Sequence, residues 1–386
     1  MRPTIKLWEI CDVISWQSPE SKYYNESGEW LPFFQWKTEF TEKYIWTPKT
    51  WTKYTTKESI KNDILMSVRA PVWPVNINWF DKICIWRWLC AIRPSNKVEL
   101  DYLFNFLLSI QEQLTWNRGS VFASINRSQI ENIEIPLPPL ETQKAIVAKL
   151  DQIFAELDQT KSEIQKNLDN TDELWKSTLN QAFQGDWEMK KLGEVCKFVR
   201  WPFWWSLKKE IFVKKWFAVY EQQHAIYNQF SDFRYFINDE KFLEMKRFEV
   251  YPWDLIMSCS WTMGKVSIVP ENSPKWIINQ ALLKITPSKS INAEFLKNWM
   301  DSKDFQDQIW MNTQWAAIQN VASVKVISTL NIPVPPLSEQ EKIVEHLDQV
   351  SKEVKALKSQ YQSQLDNLEE LKKSVLDKAF RWEMGE

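Results

Sequence analysis

Nucleophilic and general-base chemistry at neutral pH relies mostly on His and Cys, and this chain has two His and five Cys. His224 sits in a polar stretch without a second ligand nearby, and His346 stands next to Leu347 in a periodic segment that reads as solvated. Neither is expected to act as a base or a metal ligand. Cys11, Cys84, Cys90, Cys196 and Cys259 show no CxxC spacing and are odd in number, which suits reduced core thiols and no bound metal. There is no Gly-rich phosphate loop, zinc-ligand cluster, nucleophile elbow, S-adenosylmethionine-binding motif or nuclease motif. No catalytic residue is therefore expected. What remains is a set of polar loops. Arg200, Ser206, Lys208 and Lys209 surround a turn-like stretch, and Thr262 and Lys265 flank Gly264, with Arg69 in the equivalent loop of an earlier copy. Asn117, Arg118, Asn126 and Arg127 cluster before one Pro-rich hexapeptide, and Thr313, Gln314, Gln319 and Asn320 before another. Such side chains reach base edges and phosphates; they also occur as ordinary solvated loop residues.

The elements that must position these loops come from a repeat. Ile135-Pro136-Leu137-Pro138-Pro139-Leu140 recurs as Ile332-Pro333-Val334-Pro335-Pro336-Leu337, and the register then holds without a gap: Gln143 with Gln340, Leu150-Asp151 with Leu347-Asp348, Ala182-Phe183 with Ala379-Phe380. Upstream, Lys6–Cys11 echoes Lys191–Cys196 and Asp63–Ser67 echoes Asp254–Ser258. After each hexapeptide the apolar period turns helical. Ile146, Leu150, Ile153 and Leu157 form one narrow stripe, and Ile343, Leu347, Val350, Val354 and Leu357 the other, which predicts coiled coil. Ser338 with Glu341 reads as a capping box at the start of the second rod. Residues 141–183 would give a rod of about 64 Å.

The expected organisation is α+β: a first module (1–140), a first rod (141–186), a second module (187–337) and a second rod (338–386). The rods would pair antiparallel, giving the molecule a pseudo-twofold design. Ile83–Ile85 and Leu282–Ile285 read as strands, Leu100–Gln113 and Ala293–Ile309 as helices. The modules carry 16 Lys/Arg against 15 Asp/Glu and 19 against 15, whereas both rods are net acidic. DNA binding is compatible with this balance, with a modest or partner-assisted electrostatic grip. No apolar run reaches membrane length, and the first residues carry no apolar signal core, so a cytoplasmic protein without membrane contact is expected.

One count is abnormal: 24 Trp and only 6 Gly, against about 7% Gly in ordinary chains. Trp occupies glycine-type contexts such as Tyr251-Pro252-Trp253-Asp254, the Trp201, Trp204, Trp205 stretch, and Thr50-Trp51-Thr52. Within the repeat, Trp8 faces Gly193, Trp73 faces Gly264, Trp382 faces Gly185 and, with a one-residue gap, Trp315 faces Gly119. A UGA codon that the host reads as Gly, translated here as Trp, produces this pattern. Trp in exposed turns is then expected, except at Trp175, Trp187 and Trp299, whose contexts are helical or helix-flanking.

A variable module, an I-P-x-P-P-L hexapeptide and a long heptad helix, all occurring twice, resemble the specificity subunits of type I restriction–modification enzymes. Ser67-Val68-Arg69-Ala70-Pro71-Val72-Trp73 and Ser258-Cys259-Ser260-Trp261-Thr262-Met263-Gly264-Lys265 look like that family's S-V-R-A-P-V-G and S-x-S-G-T-x-G-K segments, with Trp at expected Gly positions. The resemblance covers the whole chain. It implies two DNA target-recognition domains reading an asymmetric bipartite site, with rods that set the spacer and dock two methyltransferase subunits. Restriction subunits with translocase activity would join them. Adenine methylation, ATP-dependent cleavage, and S-adenosylmethionine, ATP and Mg would all belong to these partners. The rival reading is a coiled-coil adaptor with two ligand-binding heads and no DNA.

Overall fold

The computed structural model describes residues 4–15, 19–35, 39–55, 57–69, 74–116, 124–201, 211–259, 262, 264–273, 276–313 and 324–381, without the side chains of 112–116 and 312–313. The chain divides into two units, Met1–Ile164 with Gln362–Glu386, and Gln165–Tyr361. Each unit holds one module, the start of one rod and the end of the other.

In the first unit an antiparallel sheet runs in the order Cys11–Ile14, Leu89–Pro94, Ile64–Ser67, Val75–Ile77. The second unit repeats it with Cys196–Arg200, Leu282–Pro287, Leu255–Ser258 and Val266–Ile268. The strands expected at Ile83–Ile85 and Leu282–Ile285 are present, as Lys82–Ile85 and Leu282–Pro287. Strand Ile64–Ser67 is buried on both faces: Ile64 and Met66 enter one core while Leu65 enters another. Its counterpart does the same, with Leu255 and Met257 on one side and Ile256 on the other. That is why these strands are continuous apolar runs and do not alternate. A second sheet in each unit contains one parallel pairing, Phe33 with Cys84 in the first and Val219 with Ile277 in the second. The five cysteines are free and buried. Burial pushes Cys11, Cys84, Cys90 and Cys196 up to about 12, leaving inert thiols.

The helix expected at Leu100–Gln113 extends over Leu100–Trp116. The one expected at Ala293–Ile309 is two helices, Ala293–Asp301 and Lys303–Thr313. Ser302 breaks it: its backbone is extended, its hydroxyl donates to the Trp299 carbonyl at 2.6 Å, and the next amide, of Lys303, donates to Asn180 Oδ1 at 2.8 Å.

A short ribbon closes each module, pairing Thr4–Lys6 with Glu134–Pro136 and Met189–Lys191 with Asn331–Pro333. The chain then enters the rods, Leu140–Gln181 and Leu337–Arg381. Ser338 lies inside the second helix, so the expected capping box does not form. The Pro336 carbonyl accepts from the Glu339 and Gln340 amides at 2.8 and 3.0 Å, as Pro139 does from Thr142 and Gln143. A proline preceding the first turn can only contribute its carbonyl, and here that carbonyl is the cap.

The stripe residues Leu150, Leu347 and Val354 are buried, and Ile146, Ile153, Leu157, Ile343 and Val350 are half-buried. Leu357 departs from expectation: it is 38% exposed. The seam steps instead from Val354 to the half-buried Lys358, whose ammonium pairs with Asp172. In the first unit Lys161 pairs with Glu369 at 2.6 Å and Lys372 with Asp158 at 3.7 Å. Moving forward from Asp158 to Lys161 moves back from Lys372 to Glu369, which is antiparallel pairing. The repeat register carries Lys161 onto Lys358 and Asp172 onto Glu369, so one ion pair is made in both units with donor and acceptor exchanged between the rods. Exposed pairs of this kind contribute under about 1 kcal/mol; the buried seam residues contribute more. Leu347→Ala is expected to cost about 2–5 kcal/mol and Leu357→Ala less than about 0.5 kcal/mol, read by thermal melting. Equal effects would place Leu357 in the seam after all.

Candidate nucleic-acid interface

Sheet register decides which loops emerge together. In the second unit Arg200 pairs with Leu283, and Ser258 with Leu282. The end of strand Cys196–Arg200 and the hairpin joining Leu255–Ser258 to Val266–Ile268 therefore leave the sheet at the same edge. That edge carries Arg200, Thr262 and Lys265. The hairpin is held from within: the Ser258 hydroxyl donates to the Thr262 carbonyl, and the Gly264 amide donates to the Ser258 carbonyl at 3.1 Å. Gly264 has φ +77°, and a Cβ there would lie 3.3 Å from Gln306 Oε1. A side chain there would be strained by its backbone conformation and would have to push the end of Gln306 aside by a few tenths of an ångström. Thr262 and Lys265 are exposed and Arg200 is half-buried. The charge of Arg200 reaches the sheet interior, pulling the Cys259 thiol part of the way back from the rise that burial imposes, to about 11.

The first unit has the same edge. Ile14 pairs with Ala91 and Ser67 with Leu89, so the chain leaves the sheet beside the hairpin that carries exposed Arg69. Arg69 forms an isolated antiparallel bridge to Ser124, and the Ile125 amide donates to the Val68 carbonyl at 3.1 Å. This brings Arg69 close in the fold to Asn126 and Arg127. Those two have local partners. Asn126 caps helix Arg127–Glu131 through a reciprocal pair with Gln129 at 2.9 Å each way, and Arg127 pairs with Glu131 at 2.6 Å. Asn117, Arg118, Ser206, Lys208, Lys209, Gln314, Gln319 and Asn320 lie outside the described residues, and Thr313 is described only as the last residue of its helix. So do Trp73, Trp204, Trp205, Trp315 and Trp382.

Two residues at this edge carried no recognisable signal. Gln222 opens helix Gln222–Tyr227 and donates to Thr262 Oγ1 at 3.2 Å, while Gln306 donates to the Gly264 carbonyl at 3.3 Å. Both contacts span about 40 residues of sequence, which periodicity cannot anticipate. His224 also differs from expectation, since it is fully buried. Its Nδ1 accepts from the Glu221 amide at 2.8 Å and its Nε2 lies 3.0 Å from the Asp232 carbonyl. One tautomer, protonated on Nε2, satisfies both contacts, and the ring stacks on Phe233. It is a core residue with both nitrogens engaged. Among the described residues no group of three or more His, Cys, Asp or Glu is placed to hold a metal ion, and no helix is long and apolar enough to cross a membrane.

Two modules that share the order of one four-stranded sheet, each with a basic side chain at the equivalent sheet edge and each rooted in paired helices, make a chain built twice on one plan. The chain belongs to the family of type I restriction–modification DNA specificity domains, whose model matches residues 3–181 and 184–367. A putative type I restriction enzyme MjaX specificity subunit from Methanocaldococcus jannaschii is 42% identical over 157 residues, covering 38% of this chain and 36% of that protein. The EcoBI specificity subunit of Escherichia coli is 24% identical over 325 residues, covering 77% of this chain and 68% of its own length. The chain thus spans about a third of the first relative and about two thirds of the second. In fold it resembles the HsdS subunit of Thermoanaerobacter tengcongensis, with a TM-score of 0.58 at 20% identity over 98% of this chain and 96% of that one. A chain from a type I restriction–modification system, solved to explain complex assembly and conformational transition, gives a TM-score of 0.72 at 20% identity, covering 98% and 97%.

Proposed function

We propose that this chain supplies the DNA sequence specificity of a type I restriction–modification complex, each module reading one half of a bipartite site. The observation that carries this reading is the sheet edge made twice with different side chains: Arg69 near Asn126 and Arg127 in one unit, Arg200 with Thr262 and Lys265 in the other. Like scaffolds with unlike loops suit two unlike half-sites, hence an asymmetric target. The domains follow the repeat, with recognition in 1–140 and 187–337 and rods in 141–186 and 338–386. The rods act as spacer and as the dock for two methyltransferase subunits, with restriction and translocase subunits joining the assembly. Adenine methylation and ATP-dependent cleavage, with S-adenosylmethionine, ATP and Mg, belong to those partners. Readers held apart on a scaffold convert its length into half-site spacing, as dimer geometry does for other DNA-binding proteins.

Methylome sequencing of a host carrying the complete system, with and without this chain, tests the reading. A methylated-adenine motif in two parts, present only with the chain, is expected. The Thr262→Ala, Lys265→Ala double variant is expected to relax bases in one half only, and Arg69→Ala in the other. A methylome indifferent to the chain would leave the coiled-coil adaptor as the better account.

A further inference from the structure

Each rod leaves its module through a joint built on one buried glutamine. Gln143, in the first turn of helix Leu140–Gln181, has no exposed surface. Its Nε2 donates to the Pro138 carbonyl at 2.8 Å and to the Lys97 carbonyl at 3.2 Å, and its Oε1 accepts from the Glu99 amide at 2.8 Å. Gln340, equally buried, does the same in the second unit: Pro335 carbonyl at 2.8 Å, Ser290 carbonyl at 3.0 Å, Asn292 amide at 2.8 Å. One side chain thus ties three segments: the proline hexapeptide, the rod's first turn and the loop that opens the module's helix. That loop is itself fixed to the helix, through Glu99 Oε2 accepting from the Tyr102 amide at 2.6 Å and Asn292 Oδ1 accepting from the Glu294 and Phe295 amides.

Only an amide of this length completes the set, because two donors and one acceptor are needed at once. A carboxylate would offer no donor and bury a charge, and an aliphatic side chain would leave three backbone groups without this partner, the Pro138 or Pro335 carbonyl among them in a buried position. The surrounding chain is already stiff, since Pro138 and Pro139, and Pro335 and Pro336, have fixed φ. The glutamine removes the remaining freedom at the point where the rod's direction relative to its module is set.

We propose that Gln143 and Gln340 are positioning residues for DNA recognition, fixing the angle of each rod to its module and so the spacer length that the protein accepts. This rests on the reading of the modules as half-site readers. A ruler is only as selective as its joints are stiff: a joint that swings by a few degrees lets the same two modules reach half-sites set one base pair closer or farther apart.

The test uses the full chain in complex with its methyltransferase partners, on duplexes with the native half-sites and spacers of native length, one base pair shorter and one longer. For Gln143→Leu and Gln340→Leu the preference for the native spacer is expected to fall about tenfold, which corresponds to about 1.4 kcal/mol. Single-base discrimination within each half-site should stay as it was. Gln143→Asn, which keeps the amide but shortens it, should give an intermediate loss. A folded variant with the wild-type spacer preference overturns the proposal. If the leucine variants fail to fold, hydrogen exchange on the wild-type complex decides: the Glu99 and Asn292 amides should exchange as slowly as the core strands, and loop-like exchange overturns the proposal. If the wild-type complex itself shows no dependence on the half-sites, it is the DNA-reading assignment that has failed.

Discussion

Replacing Trp253 with glycine is expected to stabilise the second unit by about 1 kcal/mol, although trading a side chain for glycine usually weakens a fold. Tyr251-Pro252-Trp253-Asp254 is a tight turn in which the Asp254 amide donates to the Tyr251 carbonyl at 3.0 Å and Trp253 has φ +71°. Proline at the second position and positive φ at the third mark a type II turn, whose third position calls for glycine. A left-handed backbone costs a bulky L residue about 1–2 kcal/mol, and Trp253 is 49% exposed, so little packing offsets that cost. The first unit makes the same turn over Ile60–Asp63, with Asn62 at φ +69°. Asparagine is one of the few non-glycine residues at ease there. Trp30 and Trp216 also have positive φ, at 80° and 125°, and are 58% and 68% exposed. In a unit of this size 1 kcal/mol moves the melting temperature by about 2–4 °C, so Trp253→Gly should melt higher, Asn62→Gly should change little, and Trp299→Gly should be strongly destabilising. Trp299 is fully buried, with its indole N–H on Asp304 at 3.1 Å. Intact mass of the chain purified from its native host gives the larger signal: glycine at most of the 24 Trp positions lowers it by kilodaltons. A mass matching the printed sequence would end the codon explanation.

The glycine reading does not extend to every tryptophan. Trp201 falls in the stretch read as a glycine-rich turn, yet it is 5% exposed and its ring lies against Phe248 at 4.2 Å. Position in the sequence could not separate it from Trp253, because the two differ in backbone conformation and packing and not in local context. The same division runs through the whole chain. The modules, the rods and their order were legible because a repeat is its own alignment and a heptad stripe is local. The sheet edge was legible in part: Arg69, Thr262 and Lys265 flank recognisable turns, while Gln222 and Gln306 reach that edge from distant segments. Gln143 and Gln340 stood out as a matched pair, but their role depends on partners more than 40 residues away. The step of the seam from Leu357 to Lys358 could not be seen either, since a lysine stem can fill an apolar position while its ammonium reaches an acid.

Removing residues 362–386 is expected to unfold the first module while leaving the second intact, though in sequence the deletion follows the second. Leu376, Ala379 and Phe380 belong to the core of the first unit, with Val375 packed beside them. Phe380 meets Tyr102 and Phe106 edge-on at 5.2 and 5.4 Å. The second unit repeats this plug with Phe183 on Phe295 at 5.2 Å, supplied by the end of the first rod. Truncating a buried Phe to Ala alone costs about 3–5 kcal/mol; losing the whole plug, and with it the partner of residues 140–164, approaches the total stability of an ordinary domain, about 5–15 kcal/mol. The second unit, Gln165–Tyr361, keeps all of its own elements. Hydrogen exchange resolves the two. Amides of strands Ile64–Ser67 and Leu89–Pro94 should lose protection in the truncated chain, those of Leu255–Ser258 and Leu282–Pro287 should keep it, and Phe380→Ala should show a weaker form of the same asymmetry. Loss of protection in the second module instead would mean that each rod end serves its own module. Crossing the rods so that each module is finished by the other copy's helix means that the first module, whose core takes in Leu376, Ala379 and Phe380, is not complete until the second rod has been made, whereas the second module has the end of the first rod, with Leu179 and Phe183, available before its own strands are made.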